Sequence, residues 1–139
     1  MSTEQNKAIV RRFIEEGWNQ GNLAVFDELL APNYVAHDPT TTVHGPEGFK
    51  QFYAGYHTAF PDVHLEVEDL IAEGDKVVDR WTATGTHLGP LMGIPPTGKS
   101  VRTPGMGIFR IVNGKFEESW FNYDLLGLLQ QLGAIPPMG

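Results

Sequence analysis

Asn113-Gly114 constrains this chain more than any other pair of residues. Both tolerate the positive φ that a type I′ turn needs at its two central positions, so the dipeptide predicts a tight hairpin. The strand before it runs from about Val101 to Val112. The strand after it carries Glu118-Ser119-Trp120-Phe121-Asn122-Tyr123-Asp124 into Leu125-Leu126-Gly127-Leu128-Leu129. A carboxylate therefore arrives at the strand end just as the chain turns into a helix. Alternate residues of a strand share a face, which groups Glu118, Trp120, Asn122 and Asp124 on one side. Two acids, an indole and an amide are an odd lining for a plain core and a reasonable one for a small-molecule pocket.

Counting outward from the turn pairs Arg110 with Glu117, Phe109 with Glu118, Gly107 with Trp120 and Gly105 with Asn122. Two glycines then face two side chains. Either Gly107 only accommodates the indole, or Gly105 and Gly107 open a cavity beside Asp124. Upstream, Val63, Leu65 and Val67 alternate with His64, Glu66 and Glu68 as a half-buried strand does. A two-residue Gly74-Asp75 loop sets Asp69 opposite Arg80. The same register puts Arg80, Thr82, Thr84 and Thr86 on the face of Val63, Leu65 and Val67. Gly89 to Gly98 reads as a long loop.

Three helices are expected ahead of these strands. Ser2 and Gln5 have capping-box spacing, and Ile9, Val10, Phe13, Ile14, Gly17 and Trp18 form an apolar stripe. Leu23, Phe26, Leu29 and Leu30 mark a second helix, stopped by Ala31-Pro32. Gly45-Pro46 opens a third, with Phe49, Phe52, Tyr53, Tyr56 and Phe60 on its buried stripe and Pro61 closing it. The order ααα-ββββ-α reads as a single α+β domain over residues 1–139.

Composition narrows the partners. A net charge of −7 argues against nucleic acid or an anionic membrane as the main partner. With 41% hydrophobic and 19% charged residues, the chain has the make-up of a folded globular protein. It has no Cys, which excludes thiol catalysis and suits a cytoplasmic setting. No signal peptide is visible at Met1-Ser2-Thr3-Glu4-Gln5. No His-x-His or His-Glu-x-x-His spacing occurs, so no metal site is expected.

Several segments, taken in order, resemble the SnoaL-like polyketide cyclases. They include Trp18-Asn19-Gln20-Gly21-Asn22, Tyr34-Val35-Ala36-His37-Asp38-Pro39, Phe60-Pro61-Asp62, Glu73-Gly74-Asp75-Lys76-Val77-Val78 and Arg80-Trp81. They continue through Gly85-Thr86-His87-Leu88-Gly89, Gly93-Ile94-Pro95-Pro96-Thr97-Gly98-Lys99, Glu118-Ser119-Trp120 with Asp124, and Gln131-Leu132-Gly133. The resemblance implies a cone-shaped α+β barrel, of the superfamily that includes ketosteroid isomerase, scytalone dehydratase and limonene epoxide hydrolase. It implies a curved antiparallel or mixed sheet around a hydrophobic pocket, and a homodimer or higher homo-oligomer formed through the outer sheet face. It also implies intramolecular aldol chemistry on a hydrophobic substrate, with the acid matching Asp124 as general acid/base and no metal or cofactor. In one respect the chain departs from the cyclases. They carry polar residues on the strand before the Asn-Gly turn, where Gly105, Gly107 and Phe109 stand here.

Carbon-acid chemistry needs a base within hydrogen-bond reach, with a pKa raised toward neutrality by apolar surroundings. Trp120, Phe13, Tyr34 and Tyr56 are candidates to enclose Asp124. Donors for a developing oxyanion are sought among His87, His37, Asn122 and Arg80, and Trp18 is a further pocket candidate. The plainer role of Asp124 is to cap the C-terminal helix. His87 has the wrong parity to share a regular strand face with Arg80. Two other functions stay open. One is a binding or dimerisation module without catalysis. The other is epoxide opening by an Asp-Arg-Asp set built on Asp124 and Arg80, with Asp69 or Asp79 as its third member.

Overall fold

The structure is a computed structural model, and it describes residues 1–136. Ser2 and Gln5 make both reciprocal bonds of a capping box, and helix α1 follows over Thr3–Arg12. The helix widens into a π-helical segment, Phe13–Asn19. Helix α2 spans Leu23–Leu29. Two strands come next, β1 over Leu30–His37 and β2 over Thr42–His44, before helix α3 over Gly45–Ala59. Strands β3 (His64–Glu73), β4 (Lys76–Thr86), β5 (Ser100–Val112) and β6 (Lys115–Tyr123) then lead to helix α4, Leu125–Gln131.

The strands β1 and β2 correct the expected ααα-ββββ-α order. Pro32 and Asn33 interrupt any alternating pattern there, yet Leu30, Ala31, Tyr34 and Ala36 are buried. The sheet runs β2-β1-β6-β5-β4-β3. Its β1–β6 pair is parallel and its other pairs are antiparallel. The α+β architecture is as expected, with an open mixed sheet rather than a closed barrel. Phe13 sits at the centre of the core, with its ring centroid 5.1–5.6 Å from those of Phe26, Phe49, Phe109 and Phe116.

The Asn113-Gly114 turn forms as expected, with φ of 51° and 78°. The pairing beyond it differs. Val112 faces Lys115 and Ile111 faces Phe116, but Arg110 faces Glu118, so Glu117 is an extra residue on β6. This one-residue bulge shifts every later pair. Phe109 faces Ser119, Gly107 faces Phe121 and Gly105 faces Tyr123. Because the side-chain period of a strand is two, Ser119, Phe121 and Tyr123 turn inward, and Glu118, Trp120 and Asn122 turn out.

A second bulge does the same on β3. Asp69 faces Arg80 as expected, whereas Val67 faces Trp81 and Leu65 faces Ala83, leaving Glu68 unpaired. Trp81 and Ala83, not Arg80 and Thr82, therefore share the face of Leu65 and Val67. Two single-residue insertions thus decide which side chains line the inside of the sheet.

Candidate active site

A cavity of about 100 Å³ lies between the sheet and the helices. Apolar walls come from Phe13, Trp18, Phe52, Phe60, Trp81 and Phe121, among others. Its ionisable lining residues are Asp38, Tyr56, Asp79 and Tyr123. Each is positioned by its element. Asp38 follows the last residue of β1, in a turn closed by its own N–H to the Thr41 carbonyl at 3.0 Å. Tyr56 lies on the inward stripe of α3, and Tyr123 ends β6 on the inner parity set by the Glu117 bulge. Asp79 alternates with Val77 and Trp81 on β4.

Three of these groups form a hydrogen-bonded chain. The Tyr56 and Tyr123 hydroxyls are 2.7 Å apart, and Tyr123 donates to Asp38 Oδ2 at 3.0 Å. The same oxygen accepts the Thr40 N–H at 3.0 Å and the Thr40 hydroxyl at 2.8 Å. Asp38 Oδ1 is shielded from solvent and has no partner. Burial, then the neighbouring Tyr56 and Asp38, hold the Tyr123 hydroxyl well above the usual tyrosine range. Burial also raises Tyr56. Both phenols thus stay protonated and serve as donors.

Asp79 is 2% exposed, and its Oδ1 has no hydrogen-bond partner. Burial lifts its carboxyl to about 7, partly offset by the nearby backbone N–H groups of Gly107 and of Asp79 itself. Gly107 is its cross-strand partner, and a Cβ there would stand 2.8 Å from Asp79 Oδ1. At Gly105 a Cβ would stand 2.2 Å from Trp81 Cζ2. The two glycines do make room, but for Asp79 and Trp81 rather than for Asn122 and Trp120.

The residues singled out from the sequence are dispersed. Trp18 and Tyr56 line the cavity. Tyr34 is buried in the core, with its hydroxyl beside Ser119. His37, Trp120 and Asn122 lie on the outer side. There His37 bonds Glu118 at 2.7 Å and stacks on Trp120 at 5.7 Å. Asn122 is exposed. Arg80 is also outside, paired with Asp69 at 2.7 Å, so an Asp-Arg-Asp set around it does not form in the cavity. His87 is fully buried just past β4 but does not line the cavity. Its Nδ1 accepts the Thr97 N–H at 3.1 Å, and its ring lies 5.5 Å from that of Phe60.

Asp124 is exposed and takes its plainer role. It caps α4, accepting the Gly127 N–H at 2.8 Å, and does not line the cavity. The expected placement of Asp124, Trp120 and Asn122 around one pocket fails because the Glu117 bulge reverses their face.

Sequence reasoning missed Asp38 and Tyr123 as pocket groups, and reached Asp79 only as one choice for the third acid of an epoxide-opening set. The usable signal was the acid of Val77-Val78-Asp79-Arg80-Trp81, which stands at the same parity as two large apolar residues. Among the described residues no three His, Asp or Glu side chains converge as a metal site needs, and no helix is long and apolar enough to cross a membrane.

Known proteins match this chain over most of its length. The chain is 33% identical over 139 residues to the aklanonic acid methyl ester cyclase DnrD of Streptomyces peucetius, covering 96% of this chain and 92% of that one. It is 31% identical over 121 residues to the nogalonic acid methyl ester cyclase of Streptomyces nogalater, covering 84% and 89%. The solved structure of TsrD from Streptomyces laurentii superposes with a TM-score of 0.87 at 32% identity, covering 97% and 99%. The sequence model of the SnoaL-like polyketide cyclases matches residues 8–132, and the chain belongs to that family.

Proposed function

We propose that this chain is a cyclase that closes a ring in an apolar carbonyl compound by intramolecular aldol-type addition, using its own side chains for acid/base work. The observation that carries the reading is the Tyr56–Tyr123–Asp38 chain opening into an apolar cavity. Asp38 Oδ2 is engaged by three donors, and Oδ1 keeps its lone pairs free in a site shielded from water. A carboxylate oxygen so placed suits removal of a proton from carbon next to a carbonyl. Tyr123 holds that carboxylate in position through its hydroxyl. The named activities of the relatives, ring closures on methyl esters, support the same class of substrate.

The cavity volume of about 100 Å³ bears on what is enclosed. A dry engineered cavity of about 150 Å³ holds one benzene. The reacting part of the substrate is thus on the scale of one ring, with any remainder outside.

The test is proton exchange at carbon. In D2O, the wild-type protein should speed deuteration of the acetophenone methyl group, followed by mass spectrometry. Asp38→Asn should lose most of that acceleration, and Tyr123→Phe should lose about tenfold or more, in the range usual for a displaced general base. No acceleration by the wild type, for acetophenone or for aryl keto-esters able to cyclise, would leave the second reading. That reading is a binding module without catalysis, and the exposed, capping Asp124 favours it.

A further inference from the structure

Among the described residues the buried polar side chains are Asn6, Asp79, His87, Thr103 and Ser119, and Asp79 alone carries a carboxyl. Burying an acid without a cationic partner is costly, and a valine at this position would continue the apolar stripe of β4 at no such cost. Among the described residues Asp79 has no ion-pair partner, and its Oδ1 has no hydrogen-bond partner. An orphaned buried oxygen on a cavity wall points to a ligand atom as its partner. The other ionisable groups on that wall are Asp38, Tyr56 and Tyr123. Burial holds the two phenols in their neutral form.

The strand opposite explains the placement. On that strand Gly105, Gly107 and Phe109 stand at the inward positions. Asp79 reaches from β4 over the side-chain-free surface of Gly107.

We propose that Asp79 is a catalytic acid of this site: a protonated carboxyl on β4 that binds the substrate carbonyl oxygen. The proposal rests on the acid/base reading above and extends it. Asp38 Oδ1 takes a proton from the α-carbon. The α-carbon then bonds to the carbon of the second carbonyl, whose π electrons move to oxygen. That oxygen takes the proton of Asp79. The product leaves as a β-hydroxy ketone, with Asp38 protonated and Asp79 ionised, and both reset by exchange with water. A proton acceptor and a proton donor lining one cavity is the division of labour that such a ring closure needs.

The experiment reads ground-state polarisation, which needs no turnover. Acetophenone labelled with 13C at its carbonyl is titrated into the wild-type protein, Asp79→Leu and Asp79→Asn, from about pH 5 to about pH 9, a window spanning a carboxyl raised by burial. In the wild type the bound carbonyl signal should move downfield at the acidic end and return as the carboxyl ionises. Asp79→Leu should bind the probe without that displacement. Asp79→Asn, which keeps a donor but cannot titrate, should show a displacement independent of pH. A wild-type signal that ignores pH and persists in Asp79→Leu overturns the proposal, as does failure of the wild type to bind the probe. If Asp79→Leu fails to fold, the pH response of wild type against Asp79→Asn decides alone. Loss of the deuterium exchange described above, with the pH-dependent displacement intact, would remove the Asp38 chemistry and leave Asp79 as a carbonyl-binding group.

Discussion

Gly107 and Asp79 face each other across β5 and β4, and the glycine is there because the acid is: an added Cβ would stand 2.8 Å from Asp79 Oδ1. The same Cβ would lie 3.2 Å from Phe121 Cδ1 and 3.3 Å from the Trp120 carbonyl oxygen, so the site has little slack. Gly107→Ala should cost about 1–3 kcal/mol, as overpacking does. In an Asp79→Ala background the cost should shrink, because the first obstacle is gone. A double-mutant cycle by chemical denaturation measures the coupling. Equal costs in both backgrounds would mean that the two residues do not compete for this space.

Asp79 also sets a pH dependence of folding. Its folded pKa of about 7 lies above the unfolded value of about 3.9. Below about pH 4 both states hold the proton, and burial carries no ionisation penalty. Between about 4 and 7 only the folded state holds it, so stability falls as pH rises; above about 7 the penalty is constant. The full effect is on the order of 4 kcal/mol. Asp79→Asn should therefore gain stability relative to wild type as pH rises from about 5 to about 8, by denaturant titration at both. A difference between the two proteins that does not change with pH would place the carboxyl in contact with water.

Asp124 separates the helix-capping role from the chemistry. Asp124→Ala should cost about 1 kcal/mol through the lost bond to Gly127, the usual size of an N-cap effect. Asp124→Asn, which keeps a capping oxygen, should stay near wild-type stability. Both should retain acetophenone deuteration within about threefold, since the carboxylate does not line the cavity. A hundredfold loss in a folded Asp124→Asn protein would return the general base to this position.

On the outer face, Ile71, Val78, Ile108 and Trp120 are successive register partners across β3, β4, β5 and β6. Ile71 is 63% and Ile108 38% exposed. The ion pairs Arg80–Asp69 and Arg110–Glu118 flank this row with both signs of charge, which a second copy related by a two-fold axis would match. Sedimentation velocity should show a dimer for the wild type and a monomer for Ile108→Asp, with unchanged secondary structure. A wild-type monomer at tens of micromolar would leave the row uncovered.

Much of the fold was legible because it rests on local rules. The Ser2–Gln5 capping box, the aromatic stripe of α3 and both two-residue turns follow from short-range chemistry. So does Asp69 opposite Arg80, which lies on the turn side of the Glu68 bulge. The site was less legible. Trp18 and Tyr56 lie on helices, whose inward stripe is redundant over several turns, and both reach the cavity. Trp120 and Asn122 lie beyond the Glu117 bulge, and Leu65 and Val67, which were to share a face with Arg80, lie beyond the Glu68 bulge; in each case one extra residue reverses the face. Nothing local distinguishes Glu117 or Glu68 from its charged neighbours in Glu117-Glu118 or Glu66-Val67-Glu68. The bulges are settled by tertiary packing, with Phe121 and Tyr123 on one strand and Trp81 on the other finding the aromatic interior. Asp38 escaped for another reason: its hydrogen bonds to Thr40 are those of an ordinary turn, and its second role appears only when Tyr123 arrives from 85 residues away.

The Glu117 bulge absorbs one residue without moving the interior. Deleting that single residue would leave Phe116 opposite Ile111 and Glu118 opposite Arg110, so Ser119, Phe121 and Tyr123 would keep their inward face with no side chain substituted. Within this architecture, a length change of one residue at that point is thus taken up by the strand's own irregularity, and relatives shorter there by one would enclose the same chamber.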